Sequence, residues 1–257
     1  MADATDSRIL VTGALGQIGT ELVEALRTRY GADTVVASDV RDIPDHPCVV
    51  GGPYRNLSVI DADAFDEVVV DESIGTVYHL AAILSATGEK NPELCERINV
   101  GGTVTVLEAA RKHGLRVYAP SSIAVFGPTS PKESTPQFTI MEPNTVYGFT
   151  NLAGERWNEY YYNKFGVDIR SIRFPGLIGW KSEPGGGTTD YAVDIFHKAI
   201  TEGKYECFLS ENTELPMMYM PDAIRATIKL MEAPSKNIKI RSSYNLSGIN
   251  FTPEQLS

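Results

Sequence analysis

The sequence predicts an α/β fold, a doubly wound parallel sheet with a smaller C-terminal lobe. Three observations lead to this prediction. Apolar runs alternate with longer amphipathic segments between Arg8 and Pro175, the glycine-rich run GALGQIG joins the first apolar run to the first amphipathic segment, and Asp39 ends the second apolar run. Strands that alternate with helices form parallel sheets, and a glycine turn after the first strand is typical of dinucleotide-binding folds.

The first half of the alternation begins with the strand Ile-Leu-Val at residues 9–11. The helix after the glycine turn repeats apolar residues at helical spacing as far as Leu26, and Gly31 separates it from the second strand, residues 34–39. The remaining predicted elements of this half are a short strand at 54–57, a helix at 62–70 and a strand at 76–82.

The second half is built around two long helices. The helix predicted at 92–113 has Pro92 in its first turn and Gly114 after its end, and Gly166 ends the helix predicted at 146–165. The strands that alternate with these helices are predicted at 116–122 and 167–175.

After residue 175 glycine and proline loops replace the regular alternation. Helices are predicted at 191–201 and 220–233, the second beginning at Pro221 and Asp222. We therefore predict a dinucleotide-binding Rossmann domain over residues 1–175 and a smaller substrate-binding lobe over residues 176–257, interleaved with the first. Thr-Pro-Glu at 252–254 resembles a helix start with no helix after it, so we expect that a C-terminal segment is missing.

Composition excludes several classes of function. The formal charge of −10 and the absence of a basic cluster argue against binding to nucleic acid or to anionic membranes. No run approaches the ~20 apolar residues of a membrane helix. Three widely spaced cysteines without a CxxC motif predict reduced thiols and no metal site. The acidic N-terminus is neither a signal peptide nor a transit peptide, which predicts a cytoplasmic protein, or one of the mitochondrial matrix if a presequence has been removed.

The glycine turn and Asp39 together predict an NAD site. Backbone N–H groups and the helix N-terminus can hold a pyrophosphate where side chains are absent. A carboxylate at the end of the second strand accepts hydrogen bonds from ribose hydroxyls and repels a 2′-phosphate, which favours NAD, although nearby Arg41 leaves NADP open. A tight turn with a surface aspartate is the alternative interpretation. The residues predicted to bind the cofactor here are Gly13, Gly16, Gln17, Ile18, Gly19 and Asp39.

A tyrosine opens the helix predicted at 146–165, in the run YGFTN. Tyr147 and Asn151 are four residues apart and therefore share one helical face. The short-chain dehydrogenase/reductase family has Tyr-x-x-x-Lys in this position, where the lysine charge favours the phenolate. Asn151 carries no charge and cannot have that effect.

The order of the motifs resembles the extended short-chain dehydrogenases: GxxGxxG, HLAA (His79 to Ala82), NVGGT, PSSIAVFG and the tyrosine. Longer segments narrow the resemblance to the short-chain type of L-threonine 3-dehydrogenase, and they include AAILSATGEKNPELCERINVGGT, PSSIAVFGPTSPK and PGGGTTDYAV. The resemblance implies NAD-dependent oxidation of L-threonine to 2-amino-3-ketobutyrate. It also implies a homodimer whose four-helix interface is formed by the two long helices.

The resemblance assigns roles to individual residues. Tyr147 would be the base and Ser122 the orienting donor, with Asn151 in place of the usual lysine. The residues expected to contact the amino acid are Ser85, Gly187, Thr188 and Asp190. Further residues expected near the cofactor are Leu57, Leu80, Ala81, Ala82, Asn99 and Pro175, with Asn99 bracing the central strands. Elementary chemistry agrees, since a zwitterion needs a carboxylate such as Asp190 for its ammonium group. A flexible surface loop is the alternative for the glycine-rich stretch.

Departures from the family pattern limit the prediction of activity. Besides Asn151, Ser58 replaces an aspartate that would contact the adenine, and the chain is shorter than the family norm. We therefore expect reduced turnover. An NAD-binding pseudoenzyme and a sugar-nucleotide epimerase of the same fold remain alternatives. A dehydratase is disfavoured because Ile123 and Ala124 follow Ser122 where an acidic residue is needed.

Other residues look functional but have simpler interpretations. His79 ends an apolar strand and is predicted to be a packed core histidine. Tyr160 and Lys164 also spell YxxxK, but Tyr160 lies roughly 20 Å from Tyr147 along the helix and is turned away from it. Apolar residues on the two long helices fit either the dimer interface or the sheet-facing core: Val100, Val104, Leu107, Leu152 and Trp157.

Overall fold

A parallel sheet of six strands forms the centre of the protein, in a computed structural model that describes residues 7–181 and 187–257. The strands of the described chain are β1 (Arg8–Thr12), β2 (Val35–Asp39), β3 (Tyr54–Asn56), β4 (Ile74–His79), β5 (Arg116–Tyr118), β6 (Ser121–Ser122), β7 (Ile169–Arg170), β8 (Ile172–Phe174), β9 (Gly176–Ile178), β10 (Leu215–Tyr219), β11 (Tyr244–Asn245) and β12 (Ile249–Phe251). The central sheet has the order β3-β2-β1-β4-β5-β7. This arrangement confirms the predicted α/β fold.

Ten α-helices accompany these strands in the described residues. They are α1 (Gln17–Tyr30), α2 (Pro47–Val50), α3 (Ala62–Asp71), α4 (Ser85–Lys90), α5 (Pro92–Glu96), α6 (Gly102–His113), α7 (Val146–Phe165), α8 (Tyr191–Glu202), α9 (Met220–Glu232) and α10 (Pro253–Leu256). A π-helical turn at Arg97–Gly101 separates α5 from α6. The prediction of one continuous α-helix at 92–113 is therefore wrong at residues 97–101, where the π-helical turn interrupts it.

Successive residues of the central strands point to opposite faces of the sheet, and each face is covered by helices. On one face Val11, Ala37 and Tyr78 belong to a core with α1 and α9. On the other face Leu10, Val36 and Val77 belong to a core with α3 and α6. Sandwiching the sheet in this way leaves its carboxyl edge open for ligands.

Two of the predicted strands divide between sheets. Residues 116–122 form β5 in the central sheet and β6 in a second sheet of order β11-β8-β6, and residues 167–175 divide into β7 and β8 in the same way. In the second sheet Ser121 pairs with Arg173 and Ser122 with Phe174. Because β6 belongs to the second sheet, Ser122 lies beyond the carboxyl end of β5 and outside the central sheet.

The C-terminal part adds a third sheet of order β12-β10-β9, in which β12 is antiparallel to β10. Thr252 and Gln255 form a capping box at α10, so the helix start at 252–254 does lead into a short helix. Met220 and Ile224 of α9 share a core with Leu22 of α1. The boundary between residues 175 and 176 stays a prediction. Within residues 7–181 and 187–257 we find no helix with the length and apolar character that crossing a membrane requires.

Candidate active site

The glycine turn between β1 and α1 leaves no space for a side chain at Gly13 or Gly19. Gly13 has φ +66°, and a Cβ there would lie 2.6 Å from the backbone nitrogen of Ala81, just beyond β4. A Cβ on Gly19 would collide with the carbonyl oxygen of Gly13. Gly16 precedes α1 and donates its N–H to that same oxygen at 3.1 Å. Because the helix begins here without a side-chain cap, its free N–H groups form a cradle for an anion.

Gln17, the first residue of α1, supports this interpretation. Its amide nitrogen is buried and has no hydrogen-bond partner among the described residues. A buried donor without an acceptor costs about 1–3 kcal/mol and is rare in native proteins. A dinucleotide pyrophosphate beside the first turn of α1 would supply an acceptor. The cradle therefore fits the predicted cofactor, with Ile18 partly buried against the core below it.

Asp39 lies at the end of β2 beside this cradle and is only 6% exposed. Its carboxylate accepts hydrogen bonds from the Leu15 backbone at 3.1 Å and from the Arg41 backbone at 3.1 Å, and two more from the Arg41 guanidinium at 3.0 Å each. Burial alone would raise the pKa of Asp39, but the hydrogen bonds from Arg41 and Leu15 outweigh it and the pKa is lowered. Asp39 is thus held as a carboxylate in the position expected for the ribose site. Leu57 is buried next to it and donates its N–H to the Asp39 carbonyl at 3.0 Å.

The end of β4 is tied to β1 by side chains. Thr12 Oγ1 lies 3.0 Å from His79 Nδ1 and accepts hydrogen bonds from the backbone of Leu80 and Ala81 at 3.2 and 3.3 Å. Burial lowers the pKa of His79 to about 4, so the imidazole is neutral. His79 is the packed core histidine that the sequence predicts, while Leu80, Ala81 and exposed Ala82 continue along the edge of the cradle.

Asn99 holds the chain after β4 in place. Its amide oxygen accepts from the Ile83 N–H at 2.8 Å, and its amide nitrogen donates to the Ile83 carbonyl at 3.0 Å and to Thr150 Oγ1 at 3.1 Å. Asn99 lies in the π-helical turn, and Thr150 lies on α7. Asn99 was expected to brace the central strands, but its hydrogen bonds join the loop after β4 to α7 instead.

The three predicted catalytic residues come together at the start of α7. Thr145 caps this helix, and Tyr147 is half-buried in its first turn. Burial raises the pKa of Tyr147, and the Asn151 and Ser122 side chains near the phenol lower it by less, so the net shift is upward. Asn151 also donates to the Tyr147 carbonyl at 2.9 Å, and Ser122 Oγ accepts from the Ala124 N–H at 3.2 Å. The phenol is therefore surrounded by neutral partners and is protonated at neutral pH.

Helix α4 brings Ser85 to the same end of α7. Glu89 Oε1 accepts a hydrogen bond from the Val146 N–H at 2.8 Å. Gly88 is buried against Cys95 and Val146, where a Cβ would lie 2.9 Å from the Cys95 sulfur. Ser85 begins α4 and is half-buried. A helix not expected from the sequence thus carries one of the predicted substrate residues.

The stretch predicted to bind the amino acid precedes α8. Residues 184–186 of this stretch lie outside the described residues. Asp190 Oδ2 accepts from the Gly187 N–H at 2.7 Å, Thr188 is exposed, and Thr189 packs against Gly176 of β9. Because β9 follows β8 directly after buried Pro175, and β8 pairs with β6 at Ser122, this turn lies near the carboxyl edge that holds the three predicted catalytic residues.

Residues 9–247 match the model of the NAD dependent epimerase/dehydratase family. The chain belongs to this family. An uncharacterized epimerase/dehydratase of Staphylococcus aureus is 51% identical over 249 residues, covering 97% of this chain and 78% of the relative.

Among solved structures, the chain is similar in sequence and in fold to L-threonine dehydrogenases. The holo form of a GalE-like L-threonine dehydrogenase from Cupriavidus necator is 54% identical with a TM-score of 0.93, covering 96% of this chain and 80% of that one. L-threonine dehydrogenase from Phytophthora infestans is 49% identical with a TM-score of 0.92, covering 97% and 79%. UDP-glucose 4-epimerase from Thermotoga maritima shares only 21% identity at a TM-score of 0.86, over 97% of this chain and 80% of that one, and therefore shows only a common fold. The predicted resemblance to the threonine dehydrogenases is confirmed.

Family membership supports an NAD-dependent oxidoreductase. The structure also shows where the residues with non-catalytic interpretations lie. Tyr160 is 43% exposed and stacks with Lys164, whose Nζ lies 5.3 Å from the ring centre, on a face away from Tyr147. Leu107 is fully buried in the core, whereas Trp157 is partly exposed. The described residues contain no cluster of three or more potential metal ligands.

One buried group of residues next to the candidate site was not predicted from the sequence. Glu155 and Arg173 form a buried ion pair at 2.7 Å, and the Ser121 hydroxyl donates to the same carboxylate at 2.7 Å. An arginine inside the apolar run of β8, between Ile172 and Phe174, is the one signal in the sequence that marks it.

Proposed function

We propose that this protein binds NAD and oxidises L-threonine to 2-amino-3-ketobutyrate, with turnover reduced by Asn151. The observation that carries this proposal is the meeting of Ser122, Tyr147 and Asn151 beside a glycine cradle that fits a dinucleotide. The likeness to solved threonine dehydrogenases supports the choice of substrate.

The residues have distinct roles in this proposal. Bound NAD would accept hydride from the carbon that carries the hydroxyl group. Gly13, Gly16 and the first turn of α1 would hold the pyrophosphate, and Asp39 would accept hydrogen bonds from the adenosine ribose. Ser122 would orient the threonine hydroxyl, whose proton would pass to Tyr147 in its phenolate form, which becomes the neutral phenol.

The substrate ammonium group needs a negative partner, and Asp190 is the candidate. Its carboxylate is held by the Gly187 N–H in the turn that packs on β9. Ser85 at the start of α4 would bind the substrate carboxylate through its hydroxyl group. Recognition at both ends of the zwitterion would explain a preference for an amino acid over a simple alcohol.

The rate is limited by the protonation state of Tyr147. Burial raises the pKa of its phenol, and the neutral amide of Asn151 offers only a hydrogen bond to oppose this. A lysine ammonium in the same place would stabilise the phenolate by charge. The loss of a positioned acid–base group of this kind reduces rates by about 10²-fold or more.

NADH formation from L-threonine, measured against pH for the wild type and Asn151→Lys, tests the proposal. We expect slow formation by the wild type that increases with pH. Asn151→Lys should raise the rate at neutral pH by about 10²-fold and move the pH optimum downward. Asn151→Met is the matched control, because it adds length without charge and should leave the optimum where it is. A lysine variant with neither change would refute the role given to Asn151.

The same measurements separate the alternatives. A pseudoenzyme would bind NAD in calorimetry but form no NADH under saturating threonine at any pH. An epimerase would retain NAD tightly and act on a UDP-sugar without net NADH formation, so NADH formation that depends on threonine distinguishes the dehydrogenase from it.

We propose a cytoplasmic location because Cys48 and Cys95 are buried free thiols, and burial raises the pKa of Cys48 to about 11. A homodimer through α6 and α7 also remains a proposal, which sedimentation would test.

A further inference from the structure

A fully buried ion pair lies beneath the candidate active site. Glu155 is 1% exposed and Arg173 is 2% exposed. The guanidinium donates to the two carboxylate oxygens at 2.8 and 2.7 Å, which is a bidentate arrangement. Two opposite charges are therefore fixed in a defined geometry between α7 and β8.

The pair is connected to every segment that carries a catalytic side chain. The Ser121 hydroxyl donates to Glu155 Oε1 at 2.7 Å, and Ser121 is the neighbour of Ser122. Arg173 Nη1 donates to the Gln137 carbonyl at 3.1 Å, within the connection between Ser122 and α7. The same nitrogen donates to Asn245 Oδ1 at 2.8 Å, which joins β11 to the group.

Glu155 lies on the helix that carries two of the proposed reacting groups, and Arg173 lies on the strand that pairs with the strand of the third. Tyr147, Asn151 and Glu155 follow one another at intervals of four residues and share one face of α7. Across the second sheet Ser121 pairs with Arg173 and Ser122 with Phe174. On α7, Glu155 lies about one helical turn beyond Asn151. On β6, Ser121 directly precedes Ser122 and pairs with Arg173.

Stability alone does not explain two charges in this position. Burying an ion pair removes both groups from water, and apolar replacements of buried pairs are often neutral or stabilising. A bidentate pair restricts geometry, because its two parallel hydrogen bonds hold the elements that carry it at a fixed distance and angle. Here the two elements carry Tyr147 and Ser122.

We propose that Glu155 and Arg173, acting through Ser121, are positioning residues that fix Ser122 relative to the Tyr147 phenol. This inference rests on the proposed function for its kinetic consequence but not for its structural one. Arg173 is not among the groups that shift the pKa of Tyr147. The effect of the group is therefore on geometry, and the pH profile should not change when it is weakened.

Ser121→Ala tests the proposal without removing a buried charge. It breaks one hydrogen bond to Glu155 and leaves the ion pair itself in place. Ser171→Ala is the matched control. Ser171 directly precedes β8 and donates a buried hydrogen bond at 2.9 Å to Ser243, which directly precedes β11, and no hydrogen bond joins Ser171 to Glu155 in the described part of the chain. Both variants should lose a similar amount of thermal stability.

We expect kcat for L-threonine oxidation to fall by about tenfold in Ser121→Ala, with an unchanged KM for NAD and an unchanged pH profile. Ser121→Thr, which keeps the hydroxyl group, should restore kcat, and Ser171→Ala should keep it. Wild-type kcat in Ser121→Ala, or an equal loss in both alanine variants, would overturn the positioning role.

A second measurement needs no turnover. With 3-fluorotyrosine at position 147 as the only fluorinated residue, the ¹⁹F resonance reports the surroundings of the phenol. It should move in Ser121→Ala and stay in Ser171→Ala, and an unmoved resonance in both would overturn the proposal. If the resonance moves as expected while the wild type forms no NADH from threonine, the proposed function fails and the positioning role stands.

Discussion

Gly13→Ala is expected to damage both the stability of the protein and its cofactor site. Gly13 has φ +66°, a conformation that costs a residue with a Cβ about 1–2 kcal/mol. The added methyl group would lie 2.6 Å from Ala81 N and 2.8 Å from Ala81 Cα. Both neighbours are backbone atoms of the chain just beyond β4, so no side-chain rotation can relieve the contact.

The size of the effect follows from these distances. Ordinary contact begins near 3.4 Å, so β1 and the end of β4 must separate by about 0.8 Å. Overpacking of this kind costs about 1–3 kcal/mol. Together with the backbone term the loss is about 2–5 kcal/mol, which lowers Tm by about 5–15 °C in a protein of this size.

Thermal unfolding by circular dichroism and NAD binding by calorimetry measure the two consequences separately. We expect a lower Tm and weaker NAD binding, because the strand end that moves is the rim of the cradle. Gly154→Ala on α7 is the control, since its Cβ would meet nothing within 4 Å among the described residues and alanine favours a helix by up to about 1 kcal/mol. A Gly13→Ala protein that melts with the wild type and binds NAD equally well would refute this account of the turn.

Two further predictions concern buried polar groups. Because the folded-state pKa of His79 is about 4 against an ordinary value of 6.5, the unfolded chain binds this proton more readily, and the unfolding free energy should fall by up to about 3 kcal/mol as pH drops from 6.5 towards 4. Urea unfolding of His79→Gln should show a shallower decline, and an equal decline would contradict the assignment. Asn99→Leu should cost about 2–4 kcal/mol, because it leaves the N–H and carbonyl of Ile83 without partners. Hydrogen exchange at the Ile83 amide should accelerate, and wild-type protection there would show that Asn99 does not brace the loop.

Local chemistry explains which parts of the fold the sequence predicted. Gly114 and Gly166 end α6 and α7 in the left-handed conformation, with φ of 70° and 73°. Gly13 likewise needs a positive φ, and Asp39 ends β2 where its carboxylate accepts a hydrogen bond from Leu15 in the glycine turn. Each of these features depends on a few neighbouring residues, so a single sequence contains the necessary information.

Features that depend on distant contacts were missed. The π-helical turn at Arg97–Gly101 places Asn99 against Ile83 and Thr150, and nothing within residues 92–113 indicates those partners. Helix α4 begins at Ser85 without a side-chain cap, so it has no start signal in the sequence. Its packing against Val146 and Cys95 and the hydrogen bond between Glu89 and the Val146 N–H favour it instead.

The proximity of the proposed catalytic residues could be predicted in part for the same reason. Tyr147 and Asn151 share a helix face, which spacing alone establishes. Their meeting with Ser122 follows from the order of motifs in a known family. The buried pair of Glu155 and Arg173 depends on the packing of α7 against β8, and its contact with Ser121 depends on the register between β6 and β8; no local pattern encodes either.

The core shared by α1 and α9 has a consequence for how the chain is made. Leu22 near the N-terminus packs in one cluster with Met220 and Ile224, which leave the ribosome roughly 200 residues later. Until then the first βαβ unit exposes the apolar face of α1, a surface that chaperones bind and that promotes aggregation. Synthesis that pauses before residue 220 should therefore yield a nascent chain that is protease-sensitive around α1, although every residue of the glycine cradle has already been made.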